Sequence, residues 1–158
     1  MPPARLPLPL AALGIGVVAG MRSMMAPALA LRECAEAESA PAALRRLARP
    51  GALALTSIAS AGELIGDKLP GVPDRTSAPS ALFRALSGAA SGAALAAARG
   101  ESPAVGGAAG LAGALIGTFG GYRLRRTLAK DAGLPDFPVA IAEDALAFTL
   151  GRACARAR

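Results

Sequence analysis

The sequence contains no histidine and no tryptophan, and it has only one tyrosine (Tyr122), four phenylalanines and two cysteines (Cys34 and Cys154) in 158 residues. Without histidine, Ser-His-Asp triads and His-ligated zinc or haem are excluded, and the two cysteines are too far apart in sequence for a CxxC metal motif. No metal and no cofactor is expected. Ser23, Ser57 and Ser60 have no histidine to activate them, so an enzyme is not expected either. Charge is also scarce: 18% of residues ionise, against about a quarter in soluble domains. Basic residues outnumber acidic ones by 17 to 11, but they flank apolar runs, and the aromatic stacking platform of a single-strand binder is missing. A nucleic-acid partner is excluded on these grounds.

What is present is apolar and small: 53% hydrophobic residues, with 19 glycines and 13 prolines. A bilayer-spanning helix needs about 20 mostly apolar residues, and the chain offers five candidates, at about 6–31, 51–66, 80–98, 102–122 and 137–151. The expected fold is therefore all-α, a polytopic membrane helical bundle of about five transmembrane helices, with residues 1–158 forming one integral membrane domain. The run 102–122 carries no charge, while the others contain Arg22, Glu63, Arg84 and the pair Glu143-Asp144. Proline-rich breaks at 69–73 and 134–138 cannot continue a helix. The long polar connection 32–50 holds an acidic patch (Glu33, Glu36, Glu38) and then a basic one (Arg45, Arg46, Arg49), with Ala42–Leu47 as a short amphipathic helix at the headgroups. Met1–Ala30 also has the parts of a secretory signal, but Arg22 interrupts its apolar run.

With five spans, Arg5, Lys68, Arg75, Arg123, Arg125, Arg126 and Lys130 fall on one side of the membrane. Arg32, Arg45, Arg46, Arg49, Arg99, Arg152, Arg156 and Arg158 fall on the other. That balance fixes no orientation. Either the span count differs from five, or the protein inserts both ways and pairs as an antiparallel homodimer in the cell inner membrane.

Two octapeptides share the pattern I-G-x-x-x-G-x-R: Ile15–Arg22 and Ile116–Arg123. Each precedes a helix with an acid in apolar surroundings, Glu63 and Asp67 in one case and Glu143 and Asp144 in the other. Three crossings separate the two copies, so the repeat (segments 1-2 and 4-5) is read as inverted, the arrangement of many secondary transporters. The repeat alignment turns Glu143 inward, and Arg22 and Arg123 are the natural partners of the carboxylates, with Arg84 as a third cation. Intramembrane charges cost at least about 2.5–3.5 kcal/mol each on insertion scales and need a reason. Arg22, Glu63, Asp67, Arg123, Glu143 and Asp144 are accordingly the candidate pathway residues for an ion or small solute. The stretch Asp67–Thr76 is a charged, proline-stiffened turn, and Lys68 and Arg75 are its candidate gate or headgroup contacts. Glycines four apart (Gly16/Gly20, Gly62/Gly66, Gly88/Gly92, Gly106/Gly110 and Gly113/Gly117/Gly121) point to close helix packing.

The segments Gly20-Met21-Arg22-Ser23, Glu63-Leu64-Ile65-Gly66-Asp67-Lys68-Leu69-Pro70, Arg75-Thr76 and Ala142-Glu143-Asp144 resemble an uncharacterised bacterial family, domain of unknown function 4126. The resemblance runs from about residue 10 to 152 and implies a small multi-pass membrane protein, without implying an activity. Two functions remain open from the residues: a small transporter or channel using buried carboxylates, or a membrane scaffold that binds lipid or a partner and uses its charges as structural ion pairs. They differ in whether the polar residues meet at a reachable cavity or in a dry interface.

Overall fold

Proline sets where several helices begin. It occupies the first turn of α1 (Leu8–Met21), α5 (Ala78–Ala98) and α6 (Pro103–Arg126), and it opens α4 (Pro50–Gly66). Its missing N–H is no loss in a first turn, where that donor has no intrahelical partner. The computed structural model describes residues 6–66, 76–128 and 133–155. Among them every regular element is a helix, with α2 (Met25–Glu36), α3 (Ala42–Leu47) and α7 (Asp136–Ala155) completing the order. Gly100, at φ 69, ends α5. Its N–H reaches Ala97 O at 3.1 Å, and that of Glu101 reaches Ala96 O at 2.9 Å, so the last carbonyls of α5 are satisfied by a left-handed cap.

Four of the expected segments recur as helices with shifted ends, α4, α5, α6 and α7, and the short helix 42–47 recurs as α3. The first does not. The run 6–31 is two helices, α1 and α2, interrupted at Arg22–Met24. Pro27 gives the local reason. In a continuous helix its ring would crowd the carbonyl of Ser23 and leave that oxygen without its donor; here the Ser23 carbonyl instead accepts the Ser87 hydroxyl at 2.5 Å.

The break is a reversal. Leu8 and Ala12 of α1 cluster with Ala96, and Gly20 and Met21 meet Arg84, so α1 runs antiparallel to α5. In α2, Ser23 at its start meets Ser87 and Cys34 near its end meets Ala94, so α2 runs parallel to α5. The other neighbours follow suit. Glu63 of α4 meets Ser23 and Ser57 meets Arg32, while Asp144 of α7 meets Arg22 and Cys154 approaches Gly14. Among the described residues the expected five-helix bundle is thus replaced by six longer helices in alternating directions, with α3 as an extra turn. Gly16 lies on Gly110 and Gly20 on Gly117 and Thr118, which makes α1 and α6 parallel. The two I-G-x-x-x-G-x-R copies therefore do not form the inverted pair that five crossings demanded.

Glycine lets α1, α5 and α6 touch through their backbones. A Cβ placed on Gly16, Gly20, Gly88, Gly92, Gly106, Gly110, Gly113 or Gly117 would come closer than 3.0 Å to an atom of the facing helix, a backbone carbonyl among them in every case. Gly62 is different: nothing lies within 4 Å of its Cβ position. The buried core is mostly alanine, glycine and serine. Large apolar side chains point outward instead, including Leu55 (67% exposed) and Ile58 (69%) on α4, Leu82 and Phe83 on α5 and Ile116 and Phe119 on α6. A small-residue interior under a large apolar exterior suits lipid surroundings. By length and composition, α5 and α6 are the two helices able to cross a membrane among the described residues.

Candidate functional site at the hairpin turn

A chain that reverses between two helices leaves α1 carbonyls and α2 amides without intrahelical partners. In this chain, residues from three other helices supply them. The Glu63 carboxylate of α4 accepts the N–H of Ser23 at 2.7 Å and the Ser23 hydroxyl at 2.6 Å on Oε1, and the N–H of Met24 at 2.8 Å on Oε2. The N-cap residue of α2 is Met24, which has no capping side chain, so Glu63 caps the helix from outside. Arg84 of α5 does the converse for α1, its Nη1 donating to Gly20 O and to Met21 O, each at 3.0 Å. Thr118 of α6 also donates to Gly20 O, at 3.5 Å. A negative charge at the start of α2 and a positive one at the end of α1 both complement the helix dipoles. The two charges face each other, with Arg84 Nη2 3.6 Å from Glu63 Oε1.

The turn is set inside the bundle. Arg84 is six residues into α5 and Asp144 eight into α7, which places the turn about 9–12 Å from those helix starts at 1.5 Å per residue. Arg22, 1% exposed, pairs with Asp144 of α7: Nε donates to Oδ1 at 2.6 Å, and Nη2 closes the same pair.

The structure redistributes the remaining candidate residues. Asp144 is the carboxylate turned to Arg22, not Glu143 as the repeat alignment implied. The two are consecutive on α7 and point about 100° apart. Glu143 instead faces α6, 3.9 Å from Arg125 Nη1. Arg123 is exposed and joins neither set. Asp67, Lys68 and Arg75 lie outside the described residues. Ser87, Thr118 and Arg125 were not anticipated. Arg84, the third cation that the sequence offers the carboxylates, is the one that meets Glu63, and its backbone contacts depend on the reversal of α1 and α2.

Two clefts flank α7. One, about 340 Å³, opens between α6 and α7, walled by Leu124, Leu128, Pro138 and Leu146 and reaching Met21 beside the turn; Arg125 and Glu143 are its charged groups. The other, about 310 Å³, lies between α2 and α7 and is lined by Arg32, Glu33, Glu36 and Arg152. Neither is lined by Glu63 or Arg84. Among the described residues no group of three or more His, Cys, Asp or Glu side chains is placed to hold a metal ion.

No curated protein and no solved structure matches the chain. The family model described as Domain of unknown function (DUF4126) matches residues 10–154, a span that contains the hairpin turn, Glu63, Arg84 and Asp144. The chain belongs to that family.

Proposed function

We propose that this protein is a multi-pass membrane protein of the inner membrane that passes an ion or small solute, with the α1–α2 hairpin as its gate. The observation that carries this reading is the charged reversal at Arg22–Met24. At about 21 Å and 18 Å, 14-residue α1 and 12-residue α2 are each too short for a hydrocarbon core of about 30 Å. Together they read as a re-entrant hairpin, and non-helical backbone at membrane depth is tolerated only inside protein or beside a water-filled cavity. A continuous apolar helix would pack the bundle without buried charge. Replacing Glu63 and Arg84 by water, a proton or a passing ion would free the helix ends they hold, which is the chemistry of transporter sites at broken helices.

The test is flux through the full chain in proteoliposomes, under a pH gradient and under a cation gradient. Flux that disappears in Glu63→Gln and Asp144→Asn variants, both still folded, supports the gate. A second reading has its own observation: Glu63, Arg84, Ser87 and Arg22 are taken up by neighbouring groups of the bundle, as in a scaffold held by structural ion pairs. Absence of flux from well-folded protein, together with loss of folding in both variants, would select that reading.

A further inference from the structure

The hairpin turn is held by a cation and an anion whose helices are anchored very differently. Arg84 belongs to α5, which packs on α1, α2 and α6 and whose Gly88 and Gly92 face the α6 backbone at Gly110 and Gly106. Glu63 belongs to α4, which packs chiefly on α2, with Leu64 reaching the core. Gly62, next to Glu63, has nothing within 4 Å of its Cβ position, and Leu55 and Ile58 turn outward. Swinging Glu63 aside disturbs few contacts, whereas withdrawing Arg84 means moving a helix seated on the backbone of another. Glu63 is therefore the member of the pair that can leave.

What it would leave behind is a set of donors. Glu63 Oε1 takes the Ser23 N–H at 2.7 Å and the Ser23 hydroxyl at 2.6 Å, and it lies 3.6 Å from Nη2 of Arg84, whose side chain is 7% exposed. Oε2 takes the Met24 N–H at 2.8 Å. A cation in that position would face N–H groups and a guanidinium, so the site selects by sign. It also selects by shape. Separate donors engage two oxygens of one trigonal centre, which a planar oxyanion reproduces and a spherical halide does not. We propose that a small planar oxyanion, a carboxylate or nitrate, is the ligand that displaces Glu63 here, an inference that rests on the gate reading and names its ion. Glu63 is then a tethered competitor, which yields the donors to the anion and returns to expel it. In Glu63→Gln the amide returns as a weaker competitor, so the anion is retained and flux falls.

The test is the unfolding temperature of the purified full chain against sodium formate or sodium chloride, at one ionic strength held with bulky gluconate. A ligand that binds only the folded chain raises that temperature with its concentration. Removing the tether removes its effective concentration from the competition, so half-saturating formate should fall about tenfold from the natural chain to Glu63→Ala. Glu63→Gln should lie between the two, and it carries the comparison if Glu63→Ala does not fold. Arg45→Gln, at the opposite end of the bundle, should match the natural chain. Formate that stabilises every chain alike overturns the proposal, and so does chloride that matches formate. Flux separates this inference from the gate itself. Proteoliposomes of the natural chain should pass nitrate and exclude sodium and potassium. Cation flux that depends on Glu63, without a formate effect, overturns the anion and leaves the gate standing. Saturable formate binding by Glu63→Ala, without flux of any ion, supports the anion site and removes the gate.

Discussion

Arg84 closes the C-terminal end of α1 and Glu63 closes the N-terminal end of α2, and the two side chains stand 3.6 Å apart. A chain reversal that would otherwise expose backbone groups is thereby sealed by one cation and one anion from two further helices. Each charge also compensates the other, so removing one weakens the support of a largely buried partner.

Arg84→Met should therefore destabilise the fold by about 3–5 kcal/mol, the range for breaking a buried pair from one side. Glu63→Gln keeps an acceptor for one amide but turns a donor toward the other, and should cost about 1–3 kcal/mol. Thermal unfolding of the purified variants in one detergent orders them, and Arg84→Met matching the natural chain would show that the pair does not hold the turn.

Ser87→Ala tests the consequence of Pro27. With the hydroxyl gone, the Ser23 carbonyl loses the donor that replaces the missing Pro27 N–H, at an expected cost of about 1–3 kcal/mol. Ser80→Ala removes only a 3.4 Å contact to Arg84 Nε and should change the unfolding temperature much less.

The two carboxylates of α7 should separate. Asp144→Asn leaves Arg22, almost wholly buried, facing a neutral side chain. Glu143→Gln weakens a pair whose arginine is partly exposed. Asp144→Asn is expected to lower stability by at least about 1 kcal/mol more than Glu143→Gln. The reverse order, measured by the same unfolding assay, would support the pairing that the repeat alignment suggested.

The six longer helices of the described residues make a topological prediction that five spans do not: residues 6 and 39 lie at the same end of the bundle, beside Arg99 and Ala98, and residue 126 at the other. In a chain with Cys34 and Cys154 replaced by alanine, single cysteines at Leu6 and Ser39 should label with an impermeant maleimide from the same side of intact vesicles, and one at Arg126 from the opposite side. Labelling of Leu6 and Ser39 from opposite sides would rule out the re-entrant reading of α1 and α2.

Glycine packing predicts a sharp contrast. Gly110→Leu places a side chain against the backbone of Gly88, and Gly16→Leu against that of Gly110, where helix backbones cannot yield as a flexible side chain can. Each should cost several kcal/mol, about 1–3 or more for overpacking. Gly62→Leu meets open space and should fold normally. Expression with retained helicity, followed by thermal unfolding, distinguishes the two outcomes.

Composition and periodicity alone determined the helical class, the apolar character, the absence of histidine chemistry, and four of the long helices to within a few residues at most ends. These are local properties: prolines start helices, Gly100 stops one, and runs of small apolar residues do not depend on what they later touch. The glycine spacings on α1, α5 and α6 were also readable, because close approach needs a missing Cβ whichever helix supplies the other face. Tertiary structure decided the rest. Whether 6–31 continues as one helix depends on Ser87 taking the Ser23 carbonyl and on Glu63 and Arg84 holding the two ends, partners that come from 39 to 64 residues away in the chain. Pro27 was the local signal for the break, and its weight was hidden because a first-turn proline and a helix-breaking proline look alike in a sequence. Which of two adjacent carboxylates meets Arg22 was beyond a repeat alignment, since one residue is a rotation of about 100° on a helix. Side-chain identity fixed what each residue could do; the reversal at Arg22–Met24 fixed which residues meet, because it sets the direction of α1 and α2 against every helix they touch.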